Sequence, residues 1–218
     1  MKPTLLIFDL DDTLVHSRMD FVTLGRWMRE RIMEKNITEL SAGELSTMSV
    51  SQMLKLVDDF DRAKGTSHGQ ELWEKVEETE YQGMMQATVE QGVDEVLQKL
   101  RERGFILAVL TNNSRKTADT VLQRFGLLDF FDEVVTRDEV EELKPHPAGL
   151  SFIKNRYAAR VSEIYYIGDN WIDGEAARAA GVPFIGFNLR GKKEVPMVAH
   201  VSKLEELLDF FPQVSLPG

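Results

Sequence analysis

Two acidic residues and a threonine follow the first apolar run of the chain at a spacing that suits chemistry on phosphate. The run at residues 5–8 leads directly into Asp9, Asp11 and Thr13. A carboxylate beside a divalent cation can attack phosphorus and form an aspartyl-phosphate. A second carboxylate two residues further on can donate a proton to the leaving oxygen and then take one from the attacking water. The spacing of Asp9 and Asp11 matches these two tasks.

Later apolar runs also end in polar residues, and these can converge on the first cluster. They are Thr111 and Asn112 after residues 105–110, and Asp169 and Asp173 around the end of residues 164–168. In an open parallel sheet, ligands bind beyond the carboxyl ends of the strands. Carboxylates that meet there repel one another unless a cation joins them, and Mg²⁺ prefers such oxygen ligands. Thr111 and Lys144 can neutralise the oxygens of a phosphoryl group.

Each of these signals also has an ordinary structural interpretation. An aspartate after a strand, such as Asp169, often only caps a helix. A lysine ahead of a turn, such as Lys144 before Pro145, is usually a surface charge. The order of the signals along the chain favours the chemical interpretation.

Composition excludes several classes of protein. The chain has 218 residues, 43% of them hydrophobic, a formal net charge of −10 and no cysteine. Disulfides and thiolate chemistry are therefore excluded, and an acidic chain is a poor partner for nucleic acid or an anionic membrane. The first apolar run is too short for a signal peptide or a membrane span. We expect a cytoplasmic protein, either a monomer or a weak homodimer.

Strand-like and helix-like segments alternate along most of the chain. Short apolar runs predict strands near residues 4–8, 105–111, 133–136, 164–168 and 183–187. Between them, helical patterns end at glycines, as at Gly104 and Gly181. Strands that alternate with helices predict a doubly wound parallel sheet, a Rossmann-like α/β core.

One long stretch shows only helical periodicity. It runs from residue 17 to residue 88 and predicts an all-helical insert, which leaves residues 1–16 and 89–218 for the α/β core. Within it, Glu80 falls on an apolar helical stripe with Trp73 and Met84. Glu80 therefore either lies at the edge of the stripe, where it reaches water, or pairs with a cation between insert and core.

The four motifs together resemble the haloacid-dehalogenase-like hydrolases. The motifs of that superfamily match Asp9-x-Asp11-x-Thr13, a strand that ends in Thr111, Lys144 before proline, and Gly168-Asp169-x-x-x-Asp173. The insert after the first motif looks like the mobile helical cap of the branch that includes phosphoglycolate phosphatases. The resemblance also implies that the five strands lie in the order fifth, fourth, first, second, third.

The resemblance implies a role for each matching residue. Asp9 would be the nucleophile, and Asp11 the general acid and base, with its backbone carbonyl on Mg²⁺. Thr111 and Lys144 would hold the phosphoryl group, with the side chain or backbone amide of Asn112 nearby. The other metal ligand would be Asp169, whereas Asp173 would either complete the metal shell or orient Lys144.

Two aspartates refine this interpretation. Members of the family that cleave carbon–halogen bonds or phosphonates lack the second aspartate, so Asp11 favours hydrolysis of a phosphate ester or anhydride. Asp12 occupies a position where this branch usually has glycine, and the sequence assigns it no role.

Substrate recognition is less well marked. Arg18, Lys55 and Lys64 of the insert could meet a carboxylate or second phosphate of the substrate, but the residue types favour a solvated charge for each. His16 lies close to the start of the insert and could serve there either at a hinge or in packing.

Three functions are compatible with these residues. The first is an Mg²⁺-dependent phosphatase of a small phosphorylated metabolite, with phosphoglycolate as the leading substrate. The second is a phosphomutase that uses the same aspartyl-phosphate. The third is a binding module without activity, which the complete set of motif residues disfavours.

Overall fold

The computed structural model describes residues 2–190 and 194–212 of the chain. The chain divides into two compact units: a larger one, Met1–Ser17 with Ala87–Gly218, and a smaller one, Arg18–Gln86. The sequence placed these boundaries after residues 16 and 88. Thr88 belongs to the larger unit because it lies in a strand, β3 (Thr88–Val89), that pairs antiparallel with β2 (Val15–His16).

A six-stranded parallel sheet forms the centre of the larger unit. Its strands are β1 (Thr4–Phe8), β4 (Ile106–Leu110), β5 (Glu133–Val135), β6 (Glu163–Asn170), β7 (Phe184–Arg190) and β8 (Ala199–Val201). Their order is β5-β4-β1-β6-β7-β8. The five predicted strands and their order are confirmed, and β8 extends the sheet at one edge. The sequence missed β8, β2 and β3 because runs of two or three residues carry too little pattern.

Helices connect and cover the strands of this sheet. They are α5 (Val93–Glu102), α6 (Arg115–Arg124), α7 (Ala148–Tyr157), α8 (Trp171–Ala180) and α9 (Glu206–Phe210). Helices cover both faces of β1 and β4, and Leu5 through Phe8 are fully buried. A strand that is buried on both faces has an unbroken apolar sequence, as these two strands do. The predicted doubly wound α/β core is thus confirmed.

The smaller unit is helical, with α1 (Phe21–Glu34), α2 (Ala42–Ser46), α3 (Val50–Lys64) and α4 (His68–Met85). Ser49 caps α3, where its side chain accepts a hydrogen bond from the backbone N–H of Gln52. The short helix α2 was not predicted, and it begins at a similar capping box between Ser41 and Glu44. In this five-residue helix the cap is a stronger signal than any apolar stripe.

Within the part of the chain that the structure describes, no helix combines the length and the apolar character that a membrane crossing requires.

Candidate active site

Lys144 is the centre of a buried polar cluster at the carboxyl edge of the sheet. Its Nζ lies 2.6 Å from Asp9 Oδ1, 2.7 Å from Asp173 Oδ1 and 2.8 Å from the hydroxyl of Tyr166. The hydroxyl of Tyr166 in turn donates to Asp173 Oδ1 at 2.9 Å. Only 4% of the surface of Lys144 is exposed. An ammonium group so deeply buried requires partners of this kind, since an unpaired buried charge is very costly.

The first aspartate owes its position to β1. Asp9 follows the last residue of that strand, and its backbone N–H donates to the carbonyl of Ile167 in neighbouring β6 at 2.8 Å. This hydrogen bond fixes the backbone at Asp9, the residue at which the chain leaves the sheet. Asp9 therefore lies at the end of a central strand, which has β4 on one side and β6 on the other.

The other two aspartates come from β6 and α8. The pairing of β6 with β7 shifts between Gly168 and Asn170, so Asp169 lies at an irregularity of the ladder, a feature that often redirects a side chain. Asp173 lies in the first turn of α8, where its Oδ2 accepts from the backbone N–H of Asn170 at 3.0 Å. Its other oxygen, Oδ1, is the one that binds Lys144.

A glycine is required before Asp169. A Cβ placed on Gly168 would lie 2.7 Å from Cγ of Asp173, closer than real Cβ contacts occur. Any side chain at residue 168 would thus displace the carboxylate that holds Lys144. This packing explains why the fourth motif begins with glycine.

The backbone of Lys144 is fixed by Asn112. The side-chain carbonyl Oδ1 of Asn112 accepts from the Lys144 N–H at 2.9 Å, and its Nδ2 donates to the Lys144 carbonyl at 3.0 Å. The side chain of Asn112 therefore clamps the loop that carries Lys144. The sequence predicted that either the side chain or the backbone amide of Asn112 lies near the phosphoryl group. The side chain forms this clamp, and the backbone amide takes no part in it.

Thr111 follows β4 and is buried, with 3% of its surface exposed. Its backbone N–H continues the ladder to the carbonyl of Val135, and its Oγ1 accepts from the N–H of Asn113 at 3.1 Å. The hydroxyl proton is not used in that bond, because Oγ1 is the acceptor.

The loop after Asp9 turns through an unusual backbone conformation. Asp12 has φ of +58°, a left-handed conformation that glycine adopts most easily, which accounts for the glycine usual at this position. The carboxylate of Asp12 lies 3.3 Å from Nδ1 of His16, and Nε2 of His16 contacts Glu90. His16 thus ties together the strand ends at β2 and β3.

Burial controls the acidity of the two lead carboxylates. It raises the pKa of Asp9 to about 7; the Lys144 ammonium opposes this rise and the Asp173 carboxylate adds to it. Burial likewise raises the pKa of Asp11 to about 8, and hydrogen bonds from Ser17 oppose this rise. Carboxyl groups perturbed in this way are typical of functional sites.

The lysine and the tyrosine of the cluster are stabilised in their ordinary protonation states. Burial lowers the pKa of Lys144, but the carboxylates of Asp173 and Asp9 outweigh it and hold the pKa above its usual range. Burial and the same two carboxylates raise the pKa of Tyr166. Lys144 is thus a cation and Tyr166 a neutral hydroxyl.

The aspartates also form a donor set that suits a metal ion. Asp9, Asp169 and Asp173 each offer a carboxylate oxygen, and these atoms lie within 4.8 Å of one another. Lys144 brings one positive charge to three carboxylates, so a divalent cation would relieve the remaining repulsion. A set made of oxygen atoms alone fits Mg²⁺.

Other residues singled out by the sequence lie elsewhere. Arg18, Lys55 and Lys64 belong to the smaller unit and are exposed, and Lys55 lies 3.4 Å from Asp59. Glu80 is buried, with 6% of its surface exposed, so the first of its two alternatives, a position at the edge of the stripe that reaches water, is wrong. A single side-chain stripe does not reveal how far neighbouring helices enclose it.

Tyr166 is the residue of the cluster that sequence reasoning missed. It lies inside an apolar strand, where a tyrosine is ordinarily explained by packing. Its one distinguishing signal is its place two residues before Gly168, on the same face of the strand as the motif.

Together, the parallel sheet and the buried aspartates and lysine at its carboxyl edge define a hydrolase with a Rossmann-like core that works on phosphate through carboxylates. The model of the haloacid dehalogenase-like hydrolase family matches residues 6–187, and the chain belongs to this family. The resemblance to this family is thereby confirmed, and the chain is a hydrolase by family.

Curated relatives and a solved structure agree with the family. The chain is 39% identical over 107 residues to pyrophosphatase PpaX of Halalkalibacterium halodurans, which covers 48% of this chain and 50% of that protein. It is 27% identical over 216 residues to phosphoglycolate phosphatase of Haemophilus influenzae, which covers 96% of each. The hydrolase YfnB of Bacillus subtilis, solved with bound magnesium, has a TM-score of 0.61 at 20% identity and covers 96% of this chain and 99% of that one.

Proposed function

We propose that this protein is an Mg²⁺-dependent phosphatase that hydrolyses a small phosphorylated metabolite through an aspartyl-phosphate on Asp9. The observation that carries the proposal is the buried contact of Asp9 with Lys144, which Asp173 and Asp169 accompany at the carboxyl edge of the sheet. A nucleophilic carboxylate beside a fixed cation is what transfer of a phosphoryl group requires.

In the first step, a carboxylate oxygen of Asp9 attacks phosphorus. The bond between phosphorus and the ester oxygen breaks, and Asp11 donates its proton to that leaving oxygen. Lys144 and the hydroxyl of Thr111 bind the phosphoryl oxygens and stabilise their charge in the transition state. The backbone amide of Asn112 is the third group that we assign to these oxygens.

In the second step, Asp11 acts in the opposite direction. Its carboxylate takes a proton from water, the water oxygen attacks phosphorus, and the bond to Asp9 breaks to release inorganic phosphate. Asp11 ends protonated, as it began, and the cycle is balanced.

Asp9, the backbone carbonyl of Asp11 and Asp169 would hold the Mg²⁺ ion, and the contacts of Asp173 favour its role in orienting Lys144. When bound, the ion would neutralise the carboxylates and the phosphoryl charge. The smaller helical unit would serve as the cap, and a phosphatase with a cap would favour small metabolites over polymers.

Phosphoglycolate is the leading substrate, and a phosphoglycolate phosphatase matches 96% of the chain. A pyrophosphatase PpaX of Bacillus cereus matches 99% of it, so coverage does not separate the two substrates. Pyrophosphate is the second candidate, favoured by the likeness to pyrophosphatase PpaX. Both present a phosphoryl group whose leaving oxygen Asp11 can protonate.

The test is a screen of phosphorylated metabolites, including these two, with release of phosphate measured in Mg²⁺. We expect steady release of phosphate from at least one small ester or anhydride and none from the Asp9→Asn variant. Release of no phosphate from any compound, or equal release by the variant, would overturn the proposal. Transfer of phosphate between positions of one sugar, without release, would favour a phosphomutase.

A further inference from the structure

The ammonium group of Lys144 has no proton to spare in this structure. Three acceptors lie within 2.8 Å of Nζ, namely Asp9 Oδ1, Asp173 Oδ1 and the hydroxyl of Tyr166. A fourth, the carbonyl of Leu110, lies 3.4 Å away. Lysine has three N–H donors, so the three short contacts use all of them.

A phosphoryl oxygen can therefore bind Lys144 only if one of these contacts is given up. The contact with Asp9 is the one that the proposed reaction itself changes, because phosphorylation replaces a charge on Asp9 by a covalent bond. The contacts with Asp173 and Tyr166 involve groups that no proposed step alters. They can keep the ammonium in place while its third proton changes partner.

Tyr166 and Asp173 also bind each other. The hydroxyl of Tyr166 donates to the same Oδ1 that accepts from Lys144, at 2.9 Å. The three groups form a closed triangle, which is buried. In it, each side chain restricts the positions open to the other two.

We infer that Tyr166 is a positioning residue, whose hydroxyl and Asp173 together hold two of the three N–H groups of Lys144 and thereby aim the third at the phosphoryl group. The consequence for turnover rests on the phosphatase function proposed above, whereas the contact itself does not. Tyr166 touches neither the substrate nor the reacting atoms and acts through Lys144.

Tyr166→Phe tests this inference, and Tyr165→Phe is the matched control. Tyr165 is the next residue of β6, faces the other side of the sheet and packs against Phe211 with ring centroids 5.0 Å apart. Each variant removes one hydroxyl from the same strand. Thermal unfolding of both variants shows whether either has merely loosened the fold.

In Mg²⁺, we expect Tyr166→Phe to lower kcat about tenfold, as loss of a hydrogen bond to a charged group predicts. KM should change less than about twofold, because the aim of Lys144 matters most where charge develops in the transition state. The factor should be the same for two substrates with different leaving groups, and Tyr165→Phe should match the wild type. A Tyr166→Phe enzyme with wild-type kcat, or an equal loss in the control, would overturn the inference.

A second measurement needs no enzymatic activity, and it needs the Lys144→Met variant only for assignment, under conditions where circular dichroism shows that variant to be folded. In wild-type protein with ¹⁵N-labelled lysine, the ammonium signal of Lys144 is identified by its absence from Lys144→Met. We expect this signal to be protected from exchange and to show a nuclear Overhauser contact with the ring protons of Tyr166. Absence of that contact overturns the inference whatever the kinetics show. If the contact is present and no substrate is turned over, the proposed function fails and the positioning of Lys144 stands.

Discussion

The carboxyl edge of the sheet in the larger unit and the surface of the smaller unit hold charged residues in opposite ways. Lys144 is 4% exposed and is bound by two carboxylates and a hydroxyl. Half of the side chain of Lys55 is exposed, and its partner Asp59 is as exposed as Lys55 itself. Both lysines form ion pairs, but only the first is removed from water.

The difference shows which charges carry information about function. An exposed ion pair contributes little to stability and costs little to form. Two buried charges must overcome a large cost of desolvation, so natural chains keep them where geometry and added hydrogen bonds compensate. The expected effects of substitution therefore fall steeply from the buried cluster to the exposed helices.

The largest effect is expected for Asp9→Asn. An amide cannot form the aspartyl-phosphate, so turnover should be lost, and a fluoride mimic of phosphate should label the wild type but not the variant. Phosphate release and mass spectrometry of the trapped protein measure both. Near-normal turnover by Asp9→Asn would contradict the mechanism, and unchanged circular dichroism would show that the fold is intact.

Removal of the metal should be almost as severe. Excess chelator should abolish release of phosphate and added Mg²⁺ should restore it, because the acidic cluster would again lack its counter-charge. Titration calorimetry should find an Mg²⁺ site that Asp169→Asn weakens. Full turnover in excess chelator would be incompatible with the proposed cofactor.

Asp11→Asn is expected to lower kcat by about 10²–10⁴-fold, which is the usual contribution of general acid–base catalysis. The backbone carbonyl proposed as a metal ligand is retained, so affinity for Mg²⁺ should change little. Single-turnover kinetics should show both formation and hydrolysis of the phosphoenzyme slowed. A variant that slows only one step would separate the acid from the base and contradict their assignment to one residue.

Lys144→Met should lower the free energy of unfolding by about 3–5 kcal/mol, because it leaves Asp9 and Asp173 buried without their cation. Lys99→Met is the control, since Lys99 is exposed and lies 3.9 Å from Glu95 on α5. The control should change stability by less than about 0.5 kcal/mol. Denaturant unfolding in the absence of Mg²⁺ measures both, and equal stabilities would show that the buried carboxylates of Asp9 and Asp173 do not depend on the cation of Lys144.

The smallest effects are expected for alanine at Arg18, Lys55 and Lys64. Solvated charges of this kind change stability by less than about 0.5 kcal/mol. If they touch the substrate at all, they touch its leaving group, so KM should change between substrates while hydrolysis of the phosphoenzyme does not. Pre-steady-state kinetics decides this, and equal slowing of both chemical steps would show that the helical unit shapes the chemical site.

Local pattern explains why so much of the core was predictable. The strands β1 and β4 are unbroken apolar runs, which predicts their type from neighbouring residues alone. Helices such as α5 and α8 are followed by Gly104 and Gly181, which predicts where they end. The strand β8, by contrast, is three residues long and exists because β7 offers it an open edge. A partner supplied by the fold leaves no periodicity in the sequence.

The sequence by itself determined which residues belong together as a motif: the aspartates after β1 and in β6 and α8, the threonine after β4, and the lysine before proline. Spacing and residue type are local properties of the sequence, so they can be recognised without knowledge of the fold. Only the tertiary structure decided that Lys144 meets Asp9, 135 positions away in the chain, that Tyr166 completes its surroundings, and that Glu80 is buried. Those facts depend on the register of the strands and the packing of the helices. Burial and hydrogen bonds join segments that are distant in the sequence, so the sequence alone does not show which segments meet.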